Sequence, residues 1–270
     1  SAAFNLPNQF IETFTDDTNL GTQTSGDRVS GYWATVYAVT SAFASDSDTV
    51  ILMHGEDLTD SSGNSLTVST NGGVAVSSAQ KKFGSNSILF DGSNDVLMAT
   101  HADFNLSNTN WTLEAWIYPV SMSNALFSIS NQSITGASCG TGDTSLLAFY
   151  SDGSSYGTGS SNHWDFPQLS CGTWSTGAWE HFAITRDGTT WRSYKGGVQQ
   201  DTGTTSTTSF LTHTNFRMGT GGCWSYGNSY VDECRFSNTC RYPNGTTFTP
   251  NQTTATSATG TLIQSANTVG

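Results

Sequence analysis

Positive charge is scarce in this sequence. Lys and Arg number nine against 21 Asp and Glu, a net charge of -12, and charged residues make up only 11% of 270. Phosphate binding needs clustered cations, so nucleic acid is set aside as a partner, and an anionic membrane surface with it. Long apolar runs are lacking as well. The longest mildly apolar stretch, YWATVYAVTSAFA over 32–44, is broken by Thr35, Thr40 and Ser41, so membrane insertion by a helix is not expected. Cysteine is sparse and odd in number: Cys139, Cys171, Cys223, Cys234 and Cys240. At least one thiol is unpaired, and no C-x-x-C pair points to zinc or redox chemistry. Buried, incidental thiols are the preferred reading. The five histidines are scattered, with no HExxH and no Gly-x-Ser-x-Gly elbow.

What the chain has instead is Ser, Thr, Asn and Gly around short apolar runs. Candidate strands include TVILMH, SILF, VLMA, WTLEAWIY, ALFSIS, SLLAFY, WEHFAITR, TWRSYK, NFRMG and YVDECRF. So many strands with hardly a candidate helix predict an all-β sandwich or barrel. HFAITRDGTTWRSYKGG predicts a hairpin around Asp187 and Gly188. SILFDGSNDVLMA, residues 87–99, reads as a strand pair joined by a tight turn. In WTLEAWIY, alternation places Trp111, Leu113, Ala115 and Ile117 on a core face and Thr112, Glu114, Trp116 and Tyr118 on the other. That second face suits either a partly covered sheet or a sugar-facing surface.

Three segments follow. Residues 1–46 are acidic and turn-prone and read as an arm or tether, 47–250 carry the strands, and 251–270 begin as a Thr/Ser/Ala-rich linker that leads into the start of a further segment. The expectation is that the gene product continues beyond residue 270.

The order TVILMHGEDLTDSSGNSLTV, KKFGSNSILFDGSNDVLMA, WTLEAWIYP, WEHFAITRDGTTWRSYKGG and YVDECRFSNTCRYPNGTTFTP resembles the laminin-G-like members of the concanavalin-A-like lectin/glucanase superfamily, over about residues 49–250. The resemblance implies a two-sheet antiparallel jelly-roll sandwich with irregular N- and C-terminal extensions. It also implies one calcium ion, held by Asp232 from the last strand with Asp91 and Asp57 from early loops, since hard oxygens in loops suit calcium. The plain reading of Asp57 and Asp91 is turn residues that cap backbone amides.

Laminarinase-type relatives carry paired same-face carboxylates, which retaining glycosidases hold about 5 Å apart. WTLEAWIY and WEHFAIT offer one Glu each, and Asp232 and Glu233 are adjacent, hence expected on opposite faces. The pattern is absent, and the chain reads as a non-enzyme. For sugar binding the candidates are loop aromatics beside polar side chains: Trp164, Asp165, Trp174, Trp224, Tyr226 and Asn228. The competing role for each Trp is to cap an end of the core. The flanks FTDDTNLGTQTSGDR and SATGTLIQSANTVG resemble segments that bracket laminin-G-like domains in tail-fibre or capsid-associated proteins of bacteriophages. That likeness implies a homo-oligomeric virion protein that contacts other virion proteins and host-surface glycans. The alternative is a secreted bacterial carbohydrate-binding module or adhesin.

Overall fold

The computed structural model describes residues 43–107, 110–122, 126–135, 144–151, 155–159, 167–205, 213–220 and 226–250, with strand segments 33–37 and 257–261. The chain divides into two units, residues 42–251 and a second made of 1–41 and 252–270. In the second unit β1 (Trp33–Tyr37) and β17 (Ser257–Thr261) pair antiparallel, so the flanks contain a strand pair where the sequence predicted irregular extensions.

Residues 42–251 form the two-sheet sandwich that the strand count allowed and that the family resemblance implied as a jelly roll. Its strands in chain order are β2 (Thr49–Met53), β3 (Ser69–Asn71), β4 (Ala75–Ser77), β5 (Ser87–Asp91), β6 (Val96–Thr100), β7 (Asn110–Pro119), β8 (Phe127–Ser130), β9 (Thr144–Ser151), β10 (Ser155–Gly159), β11 (Ser170–Thr173), β12 (Glu180–Asp187), β13 (Thr190–Lys195), β14 (Val198–Thr204), β15 (Asn215–Met218) and β16 (Asn228–Ser237). One sheet runs β11-β10-β9-β8-β15-β6-β3. The other runs β14-β13-β12-β7-β16-β5-β4, with β2 also paired to β16. All pairings are antiparallel, and among the described residues no helix is long and apolar enough to cross a membrane.

Alternation builds the core as predicted. Trp111, Leu113, Ala115 and Ile117 of β7 point inward, with Phe182 and Ile184 of β12 beside them and Phe127, Ile129, Phe216 and Met218 facing them from the seven-stranded sheet. Phe127 stacks parallel on Phe182 across the sheets at 6.1 Å, and Trp111 meets Trp191 edge-on at 4.8 Å. The Asp187–Gly188 hairpin forms as expected, joining β12 to β13, and Gly188 takes the positive φ that the turn needs. Cys171 and Cys234 are buried free thiols and Cys240 is a half-buried one; Cys139 and Cys223 lie outside the described residues.

SILFDGSNDVLMA departs from its reading as a strand pair. β5 joins the eight-stranded sheet and β6 the seven-stranded one, so the turn is a corner where the chain changes layer. Buried Asp95 holds that corner: its carboxylate accepts from the amides of Asp91 (2.9 Å) and Gly73 (2.5 Å). Two strands flanking a short polar turn look alike in sequence whether they pair or part. Asp95→Ala leaves both amides without their acceptor, and a loss of about 2 kcal/mol is expected, read as a lower melting temperature with the fold retained.

Candidate functional site

The outer face of the eight-stranded sheet carries the chemistry. Glu114 of β7 sits there in register with Arg235 of β16 and is fully buried. A charge in that position is tolerated only when paired. Arg235 donates to Glu114 Oε1 through Nε (2.9 Å) and Nη2 (2.7 Å), and the Tyr242 hydroxyl donates to Oε2 at 2.6 Å. His181 Nε2 stands 3.3 Å from the same oxygen. Burial pushes the Glu114 carboxyl up, but the His181 ring, the Arg235 charge and the Tyr242 hydroxyl outweigh it and hold the group down at about 2.

Two chain segments are fastened over this network. Arg235 also donates to the Ala44 carbonyl at 3.1 Å and lies 4.4 Å over the Phe43 ring. Arg241 clamps Asp46 through two hydrogen bonds of 2.9 and 2.8 Å, which hold that carboxyl well below the ordinary carboxylate range. Tyr242 stacks flat on Phe248 at 3.5 Å, and Phe248 in turn meets His181 and Tyr194. Phe43, Leu52, Phe83 and Trp116 form a second apolar cluster under this cover. This half of the second face of WTLEAWIY is a covered sheet face.

Asp232 and Glu233 correct the expectation of opposite faces. The register of β16 against β7 shifts between Asp232 and Arg235, and Glu233 adopts a φ of 51°. The extra residue of this bulge breaks the alternation. Both carboxylates then serve segments that cover the outer face. Asp232 Oδ2 accepts from the amides of Lys82 (2.9 Å) and Phe83 (3.0 Å), and Glu233 Oε2 accepts from the Phe43 amide at 2.7 Å. His54 Nδ1 lies 2.9 Å from both Glu233 oxygens, a contact that raises the imidazole above its usual range. Asp232 Oδ1 is buried with no hydrogen-bond partner, and desolvation lifts this carboxyl to about 7.

The three carboxylates named for calcium are not brought to one place. Asp57 closes its own turn, accepting from the Thr59 amide (2.9 Å) and hydroxyl (2.5 Å), and Asp91 accepts from the Ser93 amide at 2.8 Å. Asp91 pairs with Asn228, four residues and so about 13 Å along β16 from Asp232. Among the described residues no three of His, Cys, Asp and Glu gather as a metal-holding group. As a set, Asp57, Asp91 and Asp232 do not fit a single calcium ion, which needs six to eight oxygens around it.

Of the sugar-binding candidates, Trp164, Asp165 and Trp224 lie outside the described residues. Trp174 is corrected: it is buried, donates through Nε1 to the Cys171 carbonyl (2.8 Å) and meets Phe149 edge-on at 4.5 Å, so it caps the core. Tyr226 is partly exposed and forms a bridge with Thr220. Asn228 opens β16, and its backbone carbonyl accepts from the amides of Val120 and Ser121.

Past the cover, Tyr118 contacts Trp179 at 5.7 Å and Tyr230 at 5.9 Å, and all three are partly exposed. Tyr118 was visible in the alternation of WTLEAWIY; Tyr230 and Trp179 needed the register.

Removing the Glu114 carboxylate strands a buried Arg235. Glu114→Ala is expected to cost about 3–5 kcal/mol, read by denaturant unfolding. Because the folded value lies below the ordinary 4.5, the stability from Glu114 is complete above that pH and is lost as pH falls toward about 2. Glu114→Gln should flatten this acid limb.

The profile of a laminin G family described as the concanavalin A-like lectin/glucanases superfamily matches residues 91–244. No curated protein sequence matches. Among solved structures, domain 4 of an extracellular arabinanase from Geobacillus stearothermophilus, in complex with arabinotriose, superposes with a TM-score of 0.52 at 16% identity, covering 70% of this chain and 92% of that one. A botulinum neurotoxin type C structure, whose cell entry is dependent upon interaction with two ganglioside molecules, gives 0.51 at 11% identity, covering 71% and 48%. The binding domain of Paraclostridial Mosquitocidal Protein 1 gives 0.51 at 13%, covering 72% and 49%. This chain therefore spans about half the length of the two toxin structures, and at these identities the likeness is one of fold. With more than half of its residues matched and a two-sheet sandwich to carry them, the chain belongs to the concanavalin A-like lectin/glucanases superfamily.

Proposed function

We propose that this protein is a non-catalytic virion protein of a bacteriophage, a tail fibre or capsid decoration, whose sandwich recognises host-surface glycans. The observation that carries the reading is the division of labour in the chain. A complete sandwich, residues 42–251, interrupts a second unit in which strands from the two ends pair with each other. In chain order the sandwich is thus bracketed by two segments that pair with each other, which supports reading them as a base and the sandwich as the binding domain. A two-stranded ribbon is marginal by itself, so the base gains its stability from other copies and from neighbouring virion proteins, which fits symmetric assembly.

A binding role is supported by the chemistry of the acids. Glu114 is spent on Arg235 and Tyr242, and Asp232 and Glu233 on backbone amides. None is placed to protonate a glycosidic oxygen opposite a second carboxylate. Weak contacts at each copy would be strengthened by multivalent display. The arabinotriose-bound neighbour, a domain of an extracellular enzyme, favours the second reading, a secreted carbohydrate-binding module or adhesin.

Mass spectrometry of purified particles is expected to find the chain in stoichiometric amount, and removal of residues 1–41 to abolish its incorporation. Absence from particles, with binding to cell-surface glycans retained, would move the assignment to the secreted module.

A further inference from the structure

One rung of the outer sheet face is left partly open, at the margin where Trp179 packs against the Phe43–Leu52–Phe83–Trp116 cluster. Tyr118 of β7 pairs with Tyr230 of β16, and Tyr230 pairs with Leu89 of β5. Trp179 directly precedes Glu180, the partner of Ile117, and so extends the same rung on the other side of Tyr118. At about 4.8 Å between strands, the rung spans about 14 Å. Its neighbour one step inward, Trp116 with His181 and Asp232, is sealed. The cover ends there, and Trp179, Tyr118, Tyr230 and Leu89 are all partly exposed.

A solvated sheet face ordinarily carries polar side chains, and a contiguous apolar patch marks a contact site. The Tyr118–Trp179 rings are tilted by 59° and the Tyr118–Tyr230 rings by 84°, so the three partly exposed rings do not share one plane. Among the described residues neither phenol hydroxyl nor the Trp179 indole N–H has a hydrogen-bond partner, and none of the three is sealed from solvent. The rung therefore offers flat apolar surface with free polar tips. That is the complement of a sugar ring, which has one apolar C–H face and a rim of hydroxyls.

Charge narrows the class. Lys82 holds its ammonium 4.0 Å over the Trp116 ring beside this rung, partly desolvated, with the Glu180 carboxylate acting on it. One ammonium offset by a carboxylate is a weak recruiter of an acidic sugar, for which clustered cations are needed. We propose that Trp179, Tyr118 and Tyr230, with Leu89 at the end of their rung, form a stacking platform for the pyranose rings of a neutral glycan, with the Lys82 ammonium donating to a ring hydroxyl. This rests on the glycan-recognition reading above and gives it a place.

The test is binding of the full chain to a printed panel of neutral and sialylated oligosaccharides, with melting temperature and light scattering measured for each variant. The expected result is binding to neutral pyranose glycans. Trp179→Ala and Tyr230→Ala should each weaken it about tenfold, the loss of one stacked ring, while Trp179→Phe keeps most of it and melting temperatures hold. If Trp179→Ala melts early, Tyr230→Ala at the far side of the trio decides. Undiminished binding by both folded Ala variants overturns the platform and leaves glycan recognition standing. Binding to sialylated glycans alone overturns the neutral class. No binding to the panel by the unaltered chain overturns glycan recognition and the platform together. A wild-type dimer that Trp179→Ala converts to a monomer, with glycan binding unchanged, gives the rung to a second copy of the chain and overturns the proposal.

Discussion

A single buried carboxylate decides which part of the outer sheet is closed. Glu114 sits in the middle of the central strand β7 with no access to water, so it must be fully paired. Its partners come from far along the chain: Arg235, 121 residues on, and Tyr242, 128 residues on. Arg235 brings the Ala44 segment with it, and Tyr242 brings Phe248. Because the pair must be satisfied, the two ends of the sandwich are pulled over one half of the sheet. The arrangement gives the fold a unique way to close, at a desolvation cost that a purely apolar face would not carry.

The bulge in β16 completes that closure from the other side. At Asp232 and Glu233 the strand changes neighbour, from β5 to β2, and both acids turn toward the covering segments. Each accepts backbone amides that would otherwise be buried without partners. The acids most reminiscent of catalysis are thus the fasteners of the cover. The same fasteners end before Tyr118, which is why an aromatic rung emerges at the margin of the covered half of the face. Structure and surface chemistry follow from one division of the sheet.

The layers of the sandwich and its core face were legible in the sequence because period-two alternation reports burial directly. Trp111, Leu113, Ala115 and Ile117 are inward as predicted, and the Asp-Gly turn joins β12 to β13. Local patterns fail where the decisive contact is remote. SILF and VLMA look like one pair in sequence because a corner between sheets and a hairpin share the same turn residues. The β16 bulge inserts one residue with no marker in YVDECRF. Trp174 lies in a turn-like stretch, yet it fills the core, since aromatic bulk in a loop packs inward when a cavity end needs closing. The aromatic rung combines residues 118, 179 and 230, and only register brings these together. Trp164, Asp165 and Trp224 fall outside the described residues.

The most direct test of glycan recognition on this face is fluorine NMR of protein labelled with 5-fluorotryptophan, titrated with a neutral oligosaccharide from the panel. The account predicts that the Trp179 resonance moves with saturating dependence on sugar, while those of the fully buried Trp111 and Trp191 stay fixed. A saturating shift confined to other tryptophans, with Trp179 unmoved, would contradict it.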